Sequence, residues 1–168
     1  HLEQKGDYLE PVYDDATIIR AVPYDVGMVG YENQHVNTLR LWDAEIPENE
    51  EIKYPTIEAR RNIEDLTSVL YPDDSNEEGK RLRLQQEYFF VSAGVQSIMR
   101  HYLKYKKSLN VISDYIAIHI NDTHPAMCIA EFMRILLDEC HLSWEDAWGQ
   151  TVKVMSYTNH TILSEALE

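Results

Sequence analysis

The chain of 168 residues is short of cysteine, of positive charge and of long apolar runs. Its two cysteines, Cys128 and Cys140, stand twelve positions apart across a predicted helix. At 1.5 Å per residue that is about 18 Å, far past the ~7 Å that the Cα atoms of a disulfide tolerate. No bridge is expected, and two buried thiols suit a reducing, cytoplasmic setting. Lysine and arginine total 15 against 29 aspartates and glutamates, a net charge of −14. Such a surface repels phosphate backbones and anionic lipid, which argues against nucleic acid and membrane as partners. No apolar run reaches the ~20 residues that a membrane helix needs, and no signal-peptide pattern opens the chain. CxxC, HExxH and a third histidine at useful spacing are missing. His119 and His124, five apart across a strand end, do not converge on a metal. Internal repeats and low-complexity tracts are missing too.

Against these absences one stretch stands out. Ile116–Pro125 (IAIHINDTHP) opens as an apolar run of Ile116, Ala117, Ile118 and Ile120, interrupted by His119. That composition predicts a strand covered on both faces, as in a parallel sheet, with His119 a sheet residue whose ring finds a hydrogen-bond partner. The run stops at Asn121-Asp122-Thr123-His124-Pro125, a cluster of turn and cap residues. A helix is predicted at once, because Ile129, Phe132, Met133, Leu136 and Leu137 fall at i, i+3, i+4, i+7 and i+8. Strand, polar turn and helix in this order put polar side chains at the carboxyl edge of a sheet, where α/β proteins place their ligands. Asp122, Thr123 and His124 have two readings. They satisfy the first free N–H groups of the helix as caps, or they form a polar rim beside a sugar or phosphate near the positive end of the helix dipole. Asn159-His160 lies at a second element boundary. A carboxamide beside an imidazole supplies the neutral, directional donors and acceptors that sugar hydroxyls take, and the same pair also suits a turn.

The remaining pattern frames these two segments. Thr17–Tyr24 reads as a strand and Val36–Ala44 as a second, with Gly27 and Gly30 supplying the bend between them. In the second strand Leu39 and Leu41 share one face, Arg40 and Trp42 the other; Arg40 is either an anion contact or a guanidinium stacked beside Trp42. Ile46–Lys53 is an acidic loop. Thr56 then caps a helix reaching about Leu70, mostly polar, with a thin stripe of Ile57, Ile63 and Leu66 and an Arg60–Glu64 pair. Tyr71–Gly79 (YPDDSNEEG) is a loop dense in turn residues and carboxylates. From Arg81 to about Lys104 runs the longest periodic segment, in which Leu84, Tyr88, Val91, Val95, Ile98 and Tyr102 recur at threes and fours. Lys104–Asp114 is a basic, polar connection. Ser143-Trp144-Glu145-Asp146 predicts a capping box, preceded by Leu142 as a hydrophobic staple, and opens a helix expected to bury Trp148, Val152 and Met155. A single compact α/β unit follows from this pattern.

Several of these segments together resemble the α-glucan phosphorylases. NDTHPA followed by MRIL, W-x-x-A-W and YTNHT-x-L-x-EAL match that family, and PYD…GY…VNTLRLW and LYPDDS…GK-x-LRL-x-Q-x-YFF match it in the same order, covering most of the chain from about Arg20 to Glu168. The resemblance implies an α/β, Rossmann-like layered unit with a partly parallel sheet flanked by long helices, part of a larger phosphorylase N-terminal domain. Its pieces would be a strand pair (17–44), a helix projecting onto a dimer partner (55–70), a gate loop (71–79), a long helix (80–104) and a strand-helix-helix segment with the active-site edge (116–168). The missing initiator Met and a helix continuing past Glu168 fit an internal fragment. The implied activity is phosphorolysis of α-1,4-glucans such as glycogen or maltodextrin by inorganic phosphate, giving glucose 1-phosphate. The implied cofactor is pyridoxal phosphate, its lysine lying in a domain outside these residues, and the implied parent is a cytoplasmic homodimer.

By the same resemblance His160 matches the histidine that contacts the transferred glucose, with Asn159 beside it, and Asp122 and His124 match residues beside the glucosyl site. Asp74 and Ser75 fall in the gate loop as substrate-binding candidates. Ser75 and Asn76 replace the Asn and Phe of animal enzymes, which removes the carboxamide contact and an aromatic inhibitor site. Arg100-His101 stands where animal enzymes carry two arginines for a nucleotide phosphate, and Ser164 where many members have proline. An unregulated, microbial-type member is therefore expected, whose isolated segment is inactive. Two other readings of the residues stay open: a nucleotide-sugar glycosyltransferase, and a non-enzymic carbohydrate-binding or dimerisation module.

Overall fold

The computed structural model describes residues 1–14, 16–49, 54, 56–105, 108–160 and 162. Instead of the single unit expected, the chain divides into two compact units, Ala16–Phe89, and His1–Asp15 with Phe90–Glu168. The long helix explains the division, because its two halves serve different packing. Residues before Phe90 hold the first unit, and those from Val91 on build the core of the second.

The first unit is built on a long antiparallel hairpin, β3 (Arg20–Val29) and β4 (Val36–Glu45), in register from Arg20↔Glu45 to Val29↔Val36. The ladder absorbs Gly27 opposite Thr38, so the bend is confined to the residues after Val29, where the Asn33 side chain accepts from the His35 N–H at 2.9 Å. Arg40 lies opposite Asp25 and donates to both carboxylate oxygens at 2.6 Å, with its guanidinium carbon 5.6 Å from the Trp42 ring centroid. The stacked reading of Arg40 holds, and Asp25 is the partner that the sequence concealed. Helix α1 (Ile57–Ser68) starts as predicted, the Thr56 hydroxyl accepting from Ala59 N–H at 3.1 Å. Its apolar stripe is thinner than expected: Ile63 and Leu66 are buried, whereas Ile57 is 86% exposed. Arg60 turns to the Tyr54 carbonyl (3.0 Å) instead of to Glu64. Thr67 donates to Asp43 at 2.7 Å, which ties α1 to β4.

Helix α2 (Glu77–Lys104) begins four residues earlier than the apolar periodicity indicates, because Asn76 caps it: the Asn76 side chain accepts from Gly79 N–H at 2.8 Å. Gln86 anchors α2 within the first unit by donating to the carbonyls of Val69 (2.6 Å) and Asp65 (3.3 Å). Of the stripe read from the sequence, Val91, Val95 and Tyr102 are buried, with Met99 in place of Ile98, while Leu84 and Tyr88 face outward.

In the second unit β1 (Leu2–Lys5) and β2 (Tyr8–Pro11) form a short antiparallel hairpin. The functional frame is a parallel pair, β5 (Ile118–Asn121) with β6 (Met155–Thr158), paired Ile118↔Met155 through Asn121↔Thr158. A parallel pair requires a crossover, and α3 (Cys128–Arg134), a π-helical turn (Ile135–Glu139) and α4 (Trp144–Val154) supply it. The architecture is therefore α/β with a small parallel sheet, as expected. Ile120 packs with Val95, Met99, Ile112, Phe132, Leu136 and Val154 in one cluster.

The helix phases differ from the periodic reading for stated reasons. The π turn, closed by Cys140 N–H on the Ile135 carbonyl (2.9 Å), inserts one residue per turn and brings Ile135 inside beside Leu136, while Ile129 is left at the rim. In α4 the Ser143 cap forms, Asp146 N–H donating to Ser143 Oγ at 3.1 Å, but the box does not close on the Ser143 backbone: the Asp146 carboxylate accepts from the Ser143 hydroxyl (2.8 Å) instead. The buried face, however, is Ala147, Gln150, Thr151 and Val154, and Trp148 and Val152 are exposed. Polar residues go inside here because they find partners: Gln150 donates to the Asn110 carbonyl (2.9 Å) and accepts from Ser113 N–H (3.2 Å), and Thr151 donates to the Ala147 carbonyl (2.8 Å). Between α2 and α3, Glu131 is buried and accepts from Arg134 Nε (2.7 Å), Arg134 Nη2 (2.9 Å) and Ser92 Oγ (2.8 Å). Cys128 is buried and Cys140 half-buried, both free, with burial pushing their thiols up. Among the described residues no helix is long and apolar enough to cross a membrane.

Candidate functional site

The carboxyl ends of β5 and β6 lie side by side, and this places the two polar boundaries of the sequence at one edge. Asn121 ends β5 opposite Thr158, which ends β6. Asp122 extends the connection by one bond, its N–H donating to the Thr158 carbonyl at 3.1 Å, and then turns the chain away with φ 69°. That left-handed conformation is one that Asp and Asn adopt more readily than other residues with a Cβ. His119, two strand positions before Asn121, hydrogen-bonds the Thr158 hydroxyl, a partner of the kind expected for a sheet histidine. Thr158 is thus held from β5 by its carbonyl and by its hydroxyl.

The side chains at this edge are brought together across 39 positions of sequence. His160 Nε2 hydrogen-bonds Asn121 Oδ1. Asp122 Oδ1 accepts from Thr123 N–H at 2.6 Å and from Thr123 Oγ at 3.4 Å, and its other oxygen lies 3.8 Å from His124 Nε2. The backbone hydrogen bond from Thr123 holds the Asp122 carboxyl below its ordinary range; burial opposes it, and the nearby His124, the Thr123 hydroxyl and His160 each add a smaller lowering. Asn159 and His160 are exposed and follow directly on β6.

The capping reading of Asp122, Thr123 and His124 is overturned. Helix α3 begins only at Cys128, its N-cap is Met127, and no side chain bonds there. The intervening residues form consecutive turns of their own, with Ala126 N–H on the Thr123 carbonyl and Cys128 N–H on the Pro125 carbonyl, both 3.0 Å. Proline at 125 and the small Ala126 favour turns over an immediate helix. The helix expected after His160 lies outside the described residues. Asp74 and Ser75 stand in the first unit, both exposed, where Ser75 N–H donates to Asp73 Oδ1 at 3.0 Å. The hydrogen bonds from the Ser75 backbone and side chain hold the Asp73 carboxyl below its ordinary range. Thr158 and Asp73 are passed over in the sequence, and Asn121 reads there only as one of a cluster of turn and cap residues. For Asn121 the signal is its place at the end of the predicted strand; Thr158 carries none, because β6 reads only as a boundary after α4.

Chemically the edge offers one carboxylate, three imidazoles (His119, His124 and His160) and the carboxamides of Asn121 and Asn159, directional donors and acceptors suited to hydroxyl groups. Among the described residues no group of three or more His, Cys, Asp or Glu side chains could hold a metal ion. Comparison with known proteins covers the whole chain. The family model for carbohydrate phosphorylase matches residues 1–168. Glycogen phosphorylase of Bacillus subtilis (strain 168) is 51% identical over 168 residues, covering all of this chain and 21% of the relative. Glycogen phosphorylase of Chlamydia pneumoniae is 43% identical over 175 residues, with 100% and 21% covered. The muscle form of glycogen phosphorylase from Ovis aries is 44% identical over 169 residues, with 92% and 20% covered. The chain spans about a fifth of the length of these curated relatives.

Proposed function

The chain belongs to the carbohydrate phosphorylase family, and from that premise we propose that its parent protein transfers glucose units from the non-reducing end of an α-1,4-glucan to inorganic phosphate, forming glucose 1-phosphate. The observation that supports this most is the β5–β6 edge, where the half-buried Asp122 and the exposed His124 and His160 stand at the ends of a parallel pair. In this reading His160 and Asn159 hold hydroxyls of the glucosyl unit being transferred. Asp122, ionised at neutral pH, only accepts, so it takes hydroxyl hydrogens from the same sugar and His124 orients it. Glycosyl transfer passes through a transition state with positive charge on the ring, and a fixed carboxylate beside it favours that charge. Asp74 and Ser75 are assigned to the family's gate loop as substrate contacts, Ser75 offering a hydroxyl where animal enzymes offer a carboxamide.

Pyridoxal phosphate, when bound in such enzymes, supplies a phosphate group that assists proton transfer. The β5–β6 edge does not fit that group, since a Schiff base requires lysine and a phosphate requires cationic donors, and neither Lys nor Arg is among the edge residues. The resemblance to the phosphorylases, and not this edge, assigns the cofactor's lysine to parts of the parent outside residues 1–168. The parent is read as a cytoplasmic homodimer, with the mostly polar α1 facing its partner subunit. Its partners are glucan and phosphate, and the net charge of −14 disfavours nucleic acid and anionic membrane. Incubating the parent with maltoheptaose and inorganic phosphate tests the reading through glucose 1-phosphate release. Turnover of a nucleotide sugar instead would establish a different glycosyltransferase, and maltooligosaccharide binding without turnover a non-enzymic module.

A further inference from the structure

The bond between His160 and Asn121 constrains more than the turn it closes. A carboxamide oxygen only accepts, so His160 Nε2 carries the hydrogen in this contact. In the neutral ring Nδ1 is then the acceptor. Asn121 is itself fixed, because it is the last ladder residue of β5 and sits opposite Thr158. On either side of it, His119 hydrogen-bonds the Thr158 hydroxyl and Asp122 N–H donates to the Thr158 carbonyl. His160 follows Thr158 by two residues, so its backbone is positioned by the ladder and its ring by Asn121. We propose that Asn121 is a positioning residue of the glucan site: it sets the orientation and the Nε2–H tautomer of His160, so that Nδ1 accepts a hydrogen bond from a hydroxyl of the transferred glucosyl unit. The proposal rests on reading His160 as a sugar contact and adds which ring nitrogen faces the sugar and what holds it there.

The test is a double-mutant cycle in the parent protein, reading phosphorolysis of maltoheptaose together with the ring nitrogen shifts of His160 after selective ¹⁵N-histidine labelling. Asn121→Ala, and Asn121→Leu as a near-isosteric variant without an acceptor, should each lower kcat/KM about fivefold and never below His160→Ala, the loss of one directional bond. Both should keep the melting temperature within about 2 °C, as surface changes do. Neither should reduce activity further in a His160→Ala background. The shifts should report one tautomer, protonated at Nε2, in the native protein and a mixture in the Asn121 variants. Full activity of both Asn121 variants, losses that add to that of His160→Ala, or unchanged ring shifts would each overturn the positioning role. Full activity of His160→Ala would overturn the sugar-contact reading instead, and the single tautomer would still be seen in the native ring.

Discussion

At the scale of single residues, Asp122 combines a backbone angle that few side chains accept with a carboxyl held in its charged form. Its ordinary value is 3.8, and the Thr123 backbone bond places the folded group below that. The sign follows from linkage: stability from this group is fully present above the unfolded value and is lost as pH falls through the folded one. Asp122→Asn keeps a residue suited to positive φ and removes the titration. Melting temperatures of the native chain and the variant should therefore converge as the pH is lowered from 7 to 3, and curves that stay parallel would show that the carboxylate is not stabilised by its turn. Glu131 is the buried counterpart. Burial pushes its carboxyl up, and the hydrogen bonds from Arg134 and Ser92, with the Arg134 charge, more than offset this and leave it low. Breaking such a pair leaves an uncompensated charge, so Arg134→Met should cost about 3 kcal/mol in denaturant unfolding; a loss below about 1 kcal/mol would mean that water already solvates Glu131. Thr123 and Arg134 are local partners, but the distant ones could not be read from local sequence, since Ser92 and Glu131 lie 39 residues apart, as do Asn121 and His160.

At the scale of elements, two glycines separate a needed absence of Cβ from an incidental one. A Cβ at Gly79 would come 1.7 Å from the Asp73 carbonyl oxygen, so backbone must move if Gly79 is replaced. A Cβ at Gly94, inside α2, meets nothing within 4 Å. Gly79→Ala should cost more than about 2 kcal/mol, whereas Gly94→Ala should gain about 0.5–1 kcal/mol from helix propensity. Chemical denaturation of both variants checks the contrast, and equal effects would contradict the close approach at Asp73. Element identity was largely legible: the Ser143 and Thr56 caps and the strand at Ile118–Asn121 follow from local rules, although that strand, expected to be covered on both faces, leaves His119 and Asn121 exposed. Helix phase was less so. Trp148 and Val152 look like core by hydropathy, yet Gln150 and Thr151 are buried because Asn110, Ser113 and Ala147 supply their hydrogen bonds. The π turn at Ile135–Glu139 has no periodic signature at all.

At the scale of the whole molecule, the site is an edge made by two strands that a crossover of helices brings parallel, and both of its polar boundaries were visible before their meeting was. The edge offers donors and acceptors of the kind that hydroxyl groups take and no lysine or arginine, so on the proposed reading the isolated 168-residue chain should take up no pyridoxal phosphate and release no glucose 1-phosphate. Absorbance of bound cofactor on the purified chain would contradict that division of labour. The central claim is that the edge holds the transferred sugar, and His160→Ala in the parent protein tests it most directly. A directional contact is worth about 0.5–1.5 kcal/mol, so turnover per folded molecule should fall roughly threefold to tenfold. The fall should appear mainly in kcat if the contact tightens in the transition state, with the melting temperature unchanged. A lowered melting temperature with unchanged turnover of the molecules that remain folded would make His160 a turn residue and contradict the account.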